Sequence, residues 1–307
     1  MTSAIATLAL HLTAALDPAP QETRRLFHGR GRCWPGLEQI TVDWLQGVLS
    51  VALFREPAPE QLAELEAMLN ALAQTPQWTG EAILIQHRYL PDSPGQWLVG
   101  GPIQQREVVE DGLRYLLDLG VRQNNGLFLD MRYGRRWVRE QSAGKRVLNL
   151  FAYTCGFSVA AIAGGAEQVV NLDMAKSALS RGRENHRLNG HDVGQVAFLG
   201  HELFKSWGKV RKYGPYDLVI IDPPTFQRGS FVLTQDYAKI LRRLPELLRE
   251  GGTVLACVND PGIGSAFLIE GMAEQAPALK FVERLENPPE FPDVDVEGGL
   301  KALVFRQ

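Results

Sequence analysis

The chain has 307 residues, 45% of them hydrophobic and 22% charged, and its net charge of −3 hides a −5 over residues 1–125 and a +2 over residues 126–307. This length suggests two domains, and a composition near the soluble globular average excludes fibres, coiled coils and disordered tails, while the charge excludes a strongly basic nucleic-acid binder. No apolar run reaches the ~18 residues of a membrane span and no Lys or Arg precedes Arg24 to supply a secretory n-region, so a cytoplasmic location with no membrane partner is expected.

Residues 4–16 read as a short apolar helix ended at Asp17-Pro18, because the residue before proline is pushed out of the helical region. Gly29 to Gly36 is loop; Gln39 to Trp44 and Val48 to Phe54 are strands joined as a hairpin at Gln46-Gly47. Leu62, Leu65, Met68, Leu69 and Leu72 form a helical stripe within Pro59 to Gln74, and Ala82 to Gln86 and Trp97 to Val99 are further strands. Residues 1–125 are thus expected to be a small α+β accessory domain for substrate recognition.

From residue 126 strands alternate with helical spacing. The runs Val147 to Phe151, Gln168 to Asp173, Val196 to Leu199, Asp217 to Asp222 and Thr253 to Val258 predict a doubly wound parallel α/β sheet with right-handed crossovers. Lys280 to Leu285 and Leu300 to Phe305 read as an antiparallel hairpin closing it.

In such a sheet a ligand lies beyond the carboxyl ends of the strands. The first strand runs into FAYTCGF and a helix opening at Ser158, and the next ends on Asp173, about 23 residues after Leu150. A carboxylate there can accept hydrogen bonds from both hydroxyls of a ribose. A single glycine offers no cradle for a pyrophosphate, so a nucleoside without phosphates fits better, S-adenosylmethionine being the common one. The fourth strand ends in Asp222-Pro223-Pro224-Thr225-Phe226, a stiff loop suited to stacking a planar amine-bearing group on Phe226 while carbonyl or Asp222 oxygens accept its hydrogens.

The runs LNLFAYTCGFSV, LDM (172–174) followed by RENHRLNG, and DPPTF (222–226) resemble the Rossmann-like class I S-adenosylmethionine-dependent methyltransferases. GLFLDMRYGRR (126–136) is similar to the stretch that precedes the catalytic sheet in bacterial large-subunit rRNA methyltransferases modifying guanine N7 or cytosine C5. The resemblance covers about residues 25 to 307 and implies a seven-stranded sheet with S-adenosylmethionine as cofactor. It implies that Asp130 and Arg132 enclose the cofactor, that Phe151, Tyr153, Thr154 and Gly156 form its methionine-side loop, that Asp173 holds the ribose and that Glu202 contacts the adenine amino group. Asp222, Pro223, Pro224 and Phe226 would face the methyl acceptor, with Asp222 also beside the cofactor. The sequence departs from the family pattern at Cys155, where glycine is usual, and at Glu202, often aspartate, which follows an unusual His201.

Members that methylate cytosine C5 need a thiolate to attack C6, in a Ser-Cys-Ser-like motif after the Gly-Gly before the fifth strand. Counting from Gly251-Gly252, that position holds Asn259, as in the guanine-N7 branch. Cys257, two residues earlier, reads as a buried core residue, Cys155 and Cys33 read as structural, and no CxxC suggests a metal site. The expected chemistry is in-line transfer to a nitrogen with no general base, His186, His191 and His201 being read as solvent-exposed.

Basic residues cluster as Arg132, Arg135, Arg136, Arg139, Lys145 and Arg146, as Arg181, Arg183, His186 and Arg187, and as Lys205, Lys209, Arg211 and Lys212. Each can be a solvated helix face, and together they can track RNA phosphates. Three functions are therefore weighed: an enzyme on ribosomal RNA, a methyltransferase with a protein or small-molecule acceptor, and a non-catalytic binding module. The acidic first half weighs against RNA.

Overall fold

The computed structural model describes residues 3–307. Met1 and Thr2, the first residues of the expected accessory domain, lie outside the described residues. The chain divides into two compact units, one running to Leu129 and taking in Pro289–Asp295, the other comprising Asp130–Pro288 and Val296–Gln307. The division thus falls after Leu129, four residues beyond the expected 125/126 boundary, and residues 289–295 group with the first unit.

The first unit holds α1 (Ala4–Ala15), β1 (Arg24–His28), β2 (Ile40–Trp44), β3 (Val48–Leu53), α2 (Pro59–Leu72), β4 (Ala82–His87), β5 (Gly95–Val99), β6 (Gln105–Glu110) and β7 (Leu113–Asp118). Strands β1 to β5 form one sheet in that order, antiparallel except where β3 and β4 run parallel. Ile5, Leu8 and Leu12 of α1 and Leu65, Leu69 and Leu72 of α2 pack on Val42, Val51 and Ile85 of the sheet. Spacings of three and four put each leucine set on one helical face. The hairpin β6–β7 is not among the expected elements, although Asp111-Gly112 marks its turn. Both residues have positive φ, 50° and 76°, as a two-residue hairpin turn with the strand twist requires.

The second unit holds α3 (Arg132–Gln141), β8 (Arg146–Leu150), α4 (Gly156–Ala163), β9 (Gln168–Asp173), α5 (Lys176–Leu188), β10 (Val196–Gly200), α6 (Trp207–Tyr213) and β11 (Tyr216–Ile221). It continues with β12 (Phe226–Gln227), β13 (Phe231–Val232), α7 (Leu233–Leu241), α8 (Leu244–Leu247), β14 (Leu248–Val258), α9 (Ala266–Gln275), β15 (Lys280–Arg284) and β16 (Lys301–Arg306). The seven-stranded sheet has the order β10-β9-β8-β11-β14-β16-β15. Neighbours pair parallel from β10 to β14, and β16 pairs antiparallel with both β14 and β15. The last two strands are therefore the expected antiparallel pair, but the later one lies inside and β15 forms the edge.

Successive residues of the central strands alternate between two cores. Leu148, Val219, Ile221, Val254 and Ala256 face α6, α7, α8 and α9, whereas Val147, Leu218, Ile220, Leu255 and Cys257 face α3 and α4. A sheet buried on both faces reads as a continuous apolar run, which is why these strands were visible in the sequence. The chain lays down β8, moves outward to β9 and β10, then returns to place β11 on the other side of β8. The crevice of a doubly wound sheet opens at this reversal.

Candidate active site

The loops leaving β8 and β11 flank the reversal. In the first, Phe151, Tyr153 and Cys155 have positive φ of 57°, 47° and 63°. Each costs a non-glycine residue about 1–2 kcal/mol, so the fold must hold them. Ala152 N–H donates to Leu172 O (3.1 Å), Cys155 N–H to Ala152 O (2.7 Å), and the Asn185 side-chain amide to Thr154 O (3.1 Å). Tyr153 N–H donates to Asp173 Oδ2 at 2.8 Å, tying the loop to the end of β9. Cys155, at the place of the usual glycine, is fully buried, and Gly182 of α5 makes room for it, since a Cβ there would lie 2.3 Å from its Sγ. Helix α4 starts at Gly156, two residues before the expected Ser158.

Asp173 is buried, and its Oδ1 accepts the Ala175 N–H at 2.8 Å. Burial raises its pKa above the usual carboxylate value, while the Ala175 and Tyr153 amides oppose that. Each carboxylate oxygen has two lone pairs and accepts one of these amides, which leaves each a lone pair for a ribose hydroxyl. The strand-end carboxylate and the hydrogen-bonded loop before it thus fit an adenosine cofactor. Glu202 is more engaged. It caps the turn that follows, Oε1 accepting the Phe204 N–H (3.1 Å), and Oε2 pairs with Lys205 at 2.7 Å.

The second loop is built differently. Two prolines remove two donors, and Pro223 is buried while Pro224, Thr225 and Phe226 are exposed, Phe226 to 64%. Among the described residues no donor reaches the carbonyls of Asp222, Pro223 or Pro224. Its far end is fixed by the short β12–β13 pairing and by Leu233 N–H donating to Thr225 O (3.0 Å). Removal from water, and next the charge of Asp130, push the Asp222 carboxyl up to about 7 against the pull of Arg135. Arg135 is itself buried, not on a solvated helix face.

Asn259, just past β14, donates through Nδ2 to Asp130 Oδ2 at 2.9 Å, joining the segment before α3 to the end of the fifth parallel strand. Cys257 is fully buried in the sheet core, its thiol pushed well up by burial and by Asp222 and Asp130. Tyr237 of α7 donates its hydroxyl to both Ile221 O (3.3 Å) and Cys257 O (3.1 Å), bracing the ends of β11 and β14. Nothing in the sequence marked Tyr237, because its role depends on a long-range contact.

The histidines depart from expectation. His186 is fully buried, its Nε2 2.8 Å from Ser158 Oγ and its Nδ1 3.1 Å from His191 Nδ1, and burial followed by His191 lowers its pKa to about 3. Ser158 accepts from Asn171, which in turn accepts from Asn149 (both 2.9 Å). A polar chain thus runs from the sheet into α5. His191 is half-buried, and His201 lies 2.8 Å from Lys209 Nζ. Several basic residues of the second unit are also engaged: Arg181 with Glu184 (2.5 Å), Lys205 with Glu202, Arg211 with Glu246 (3.6 Å), and Arg183 over the Phe198 ring. The described residues contain no cluster that could hold a metal ion, and no helix among them is long and apolar enough to cross a membrane.

Comparison with known proteins adds sequence to geometry. The chain is 28% identical to the candidate ribosomal RNA large subunit methyltransferase YwbD of Bacillus subtilis (strain 168), over 92% of this chain and 74% of that protein. It is 31% identical to ribosomal RNA large subunit methyltransferase I of Serratia proteamaculans (strain 568), over 76% and 59%, and 35% identical to its namesake in Aeromonas salmonicida (strain A449), over 50% and 40%. In the last two, the match spans less than two thirds of the relative. A solved structure of a candidate S-adenosylmethionine-dependent methyltransferase from Streptococcus mutans superposes with a TM-score of 0.87 at 23% identity, over 99% of this chain and 81% of that one, which shows the shared fold. The family model described as S-adenosylmethionine-dependent methyltransferase matches residues 24–306, nearly the whole chain. The protein therefore belongs to the S-adenosylmethionine-dependent methyltransferases.

Proposed function

We propose that the protein methylates a nitrogen of a base in ribosomal RNA, by direct transfer and without a cysteine nucleophile. When bound, S-adenosylmethionine would supply a sulfonium methyl whose carbon an in-line nitrogen lone pair can attack, the S–C bond breaking and S-adenosylhomocysteine leaving as the neutral thioether. The chain's own work is to hold the partners. Asp173 takes the ribose hydroxyls, Phe151, Tyr153, Thr154 and Gly156 line the methionine side, and Asp130 and Arg132 close over the cofactor. Glu202 meets the adenine amino group if it releases Lys205. Asp222, Pro223, Pro224 and Phe226 take the acceptor base, Phe226 by stacking and the open loop carbonyls by accepting its amino hydrogens. Holding nitrogen, methyl and sulfur in line accounts for most of the acceleration, and guanine N7 needs no proton removed first.

The observation that carries the reading is the pair Asn259 and Cys257. A C5 mechanism needs a thiolate, yet the position expected for it is an asparagine bound to Asp130, and the thiol two residues earlier, Cys257, has its pKa pushed well up first by burial and then by Asp222 and Asp130. The relatives named as ribosomal RNA large subunit methyltransferases support rRNA as acceptor. The test is tritiated methyl transfer to fractionated RNA, protein and small molecules from cells lacking the gene. Label is expected in large-subunit rRNA; label in protein or metabolites alone overturns the reading.

A further inference from the structure

The first unit is acidic overall, yet three arginines meet on one part of it. Arg30, in the turn after β1, places its guanidinium carbon 4.2 Å from the centroid of the Phe54 ring, and Arg88, just past β4, places its own at 4.8 Å from the same centroid. Arg25 of β1 lies 4.7 Å from the Phe291 ring centroid, pairs with Asp43 at 2.5 Å, and donates to His28 Nδ1 at 2.6 Å. That last bond requires an unprotonated nitrogen, in keeping with a His28 pKa lowered to about 3 by burial and then by Arg25 and Arg30. Asp293, the other nearby carboxylate, pairs with Arg32 (3.0 Å). Asp43 thus neutralises Arg25, and among the described residues neither Arg30 nor Arg88 has a carboxylate in ion-pair range. Arg88 donates one bond, from Nη2 to Asn124 Oδ1 (3.2 Å), and its Nε is buried without a partner.

Folding alone gives no reason to gather like charges here. Burial first, and then the neighbouring arginines, depress the pKa of both Arg30 and Arg88, with Asp43 opposing the shift at Arg88. Stacking on Phe54 fixes the planes of the guanidiniums but uses none of their N–H donors, and a planar fork of unused donors matches the oxygens of a phosphate. We propose that Arg30 and Arg88, aligned on Phe54, bind backbone phosphates of the RNA substrate. This rests on the reading that the acceptor is RNA, and it gives the acidic unit a role in gripping a polyanion.

The probe is a fluorescein-labelled single-stranded RNA of mixed sequence, titrated by anisotropy onto the full chain at several salt concentrations, with S-adenosylhomocysteine affinity as the control for folding. Each phosphate contact on a single strand contributes about 0.7 to the slope of log affinity against log salt. R30A/R88A is expected to flatten the slope by about 1.4 and to weaken binding about tenfold at low salt, with S-adenosylhomocysteine affinity unchanged. R30A alone, at the exposed position, should flatten it by about 0.7, and R30K/R88K, which keeps both charges, should preserve it. An unchanged slope in R30A/R88A overturns the proposal; if the same variant still methylates RNA, the functional reading stands. A wild-type protein that neither binds nor methylates RNA overturns both.

Discussion

Two loops leave adjacent strands at the same reversal of the sheet, and they solve opposite problems. The loop after β8 is strained and closed. Three non-glycine residues hold left-handed conformations, and the amides of Ala152, Cys155 and Tyr153 donate to Leu172 O, Ala152 O and Asp173 Oδ2. The loop after β11 is stiff and open: its prolines lack donors, no donor among the described residues reaches the carbonyls of Asp222, Pro223 or Pro224, and Phe226 is exposed. The closed loop suits a cofactor of constant shape, whose partners can be pre-positioned. The open one suits an acceptor arriving as part of something larger, which must supply its own hydrogens and its own stacking face.

Substitutions can sharpen or break this contrast. The largest effect is expected from Asp222→Ala, which removes the carboxylate between the loops. Methyl transfer should fall by about 100-fold or more, with the thermal transition retained; turnover within a few-fold of wild type would break the assignment. Next is Asp173→Ala, expected to weaken S-adenosylhomocysteine about 10- to 100-fold in calorimetry, since two hydrogen bonds to a charged group are lost. Phe226→Ala should separate the loops, weakening the acceptor about tenfold through lost stacking while leaving cofactor affinity intact. A change in cofactor affinity alone would put Phe226 on the wrong side. The smallest effect concerns pH. In the folded chain Asp222 holds its proton up to about 7, whereas unfolded it would release it near 3.8, so its ionisation removes stability as pH rises between those values. Asp222→Asn should therefore gain on wild type in thermal stability from pH 5 to pH 8, and a gap independent of pH would contradict the shift.

The sheet was legible because its strands are buried on both faces. Runs such as Asp217 to Asp222 and Thr253 to Val258 have no polar alternation to confuse with an amphipathic helix. Asp173 was legible by position alone, as the residue ending the second strand. The strained conformations at Phe151, Tyr153 and Cys155 were not, because glycine is the usual marker of positive φ and only Gly156 is present. The β6–β7 hairpin did carry a signal in Asp111-Gly112. So did the buried chain to His186: Asn149 and Asn171 interrupt two apolar runs at positions that face each other in register. A polar residue inside a buried strand requires a partner, and Ser158 and His186 continue that chain from the two asparagines into the interior. The arginines around Phe54 lie on separate elements, and no local pattern joins them.

The central claim, nitrogen transfer without a covalent cysteine, is tested most directly by digesting rRNA from the deletion strain after reaction with wild-type protein or with Cys257→Ala and identifying the methylated nucleoside by mass spectrometry. The same N-methylated nucleoside is expected from both proteins at comparable yield. 5-Methylcytidine from wild type that disappears with Cys257→Ala would contradict it.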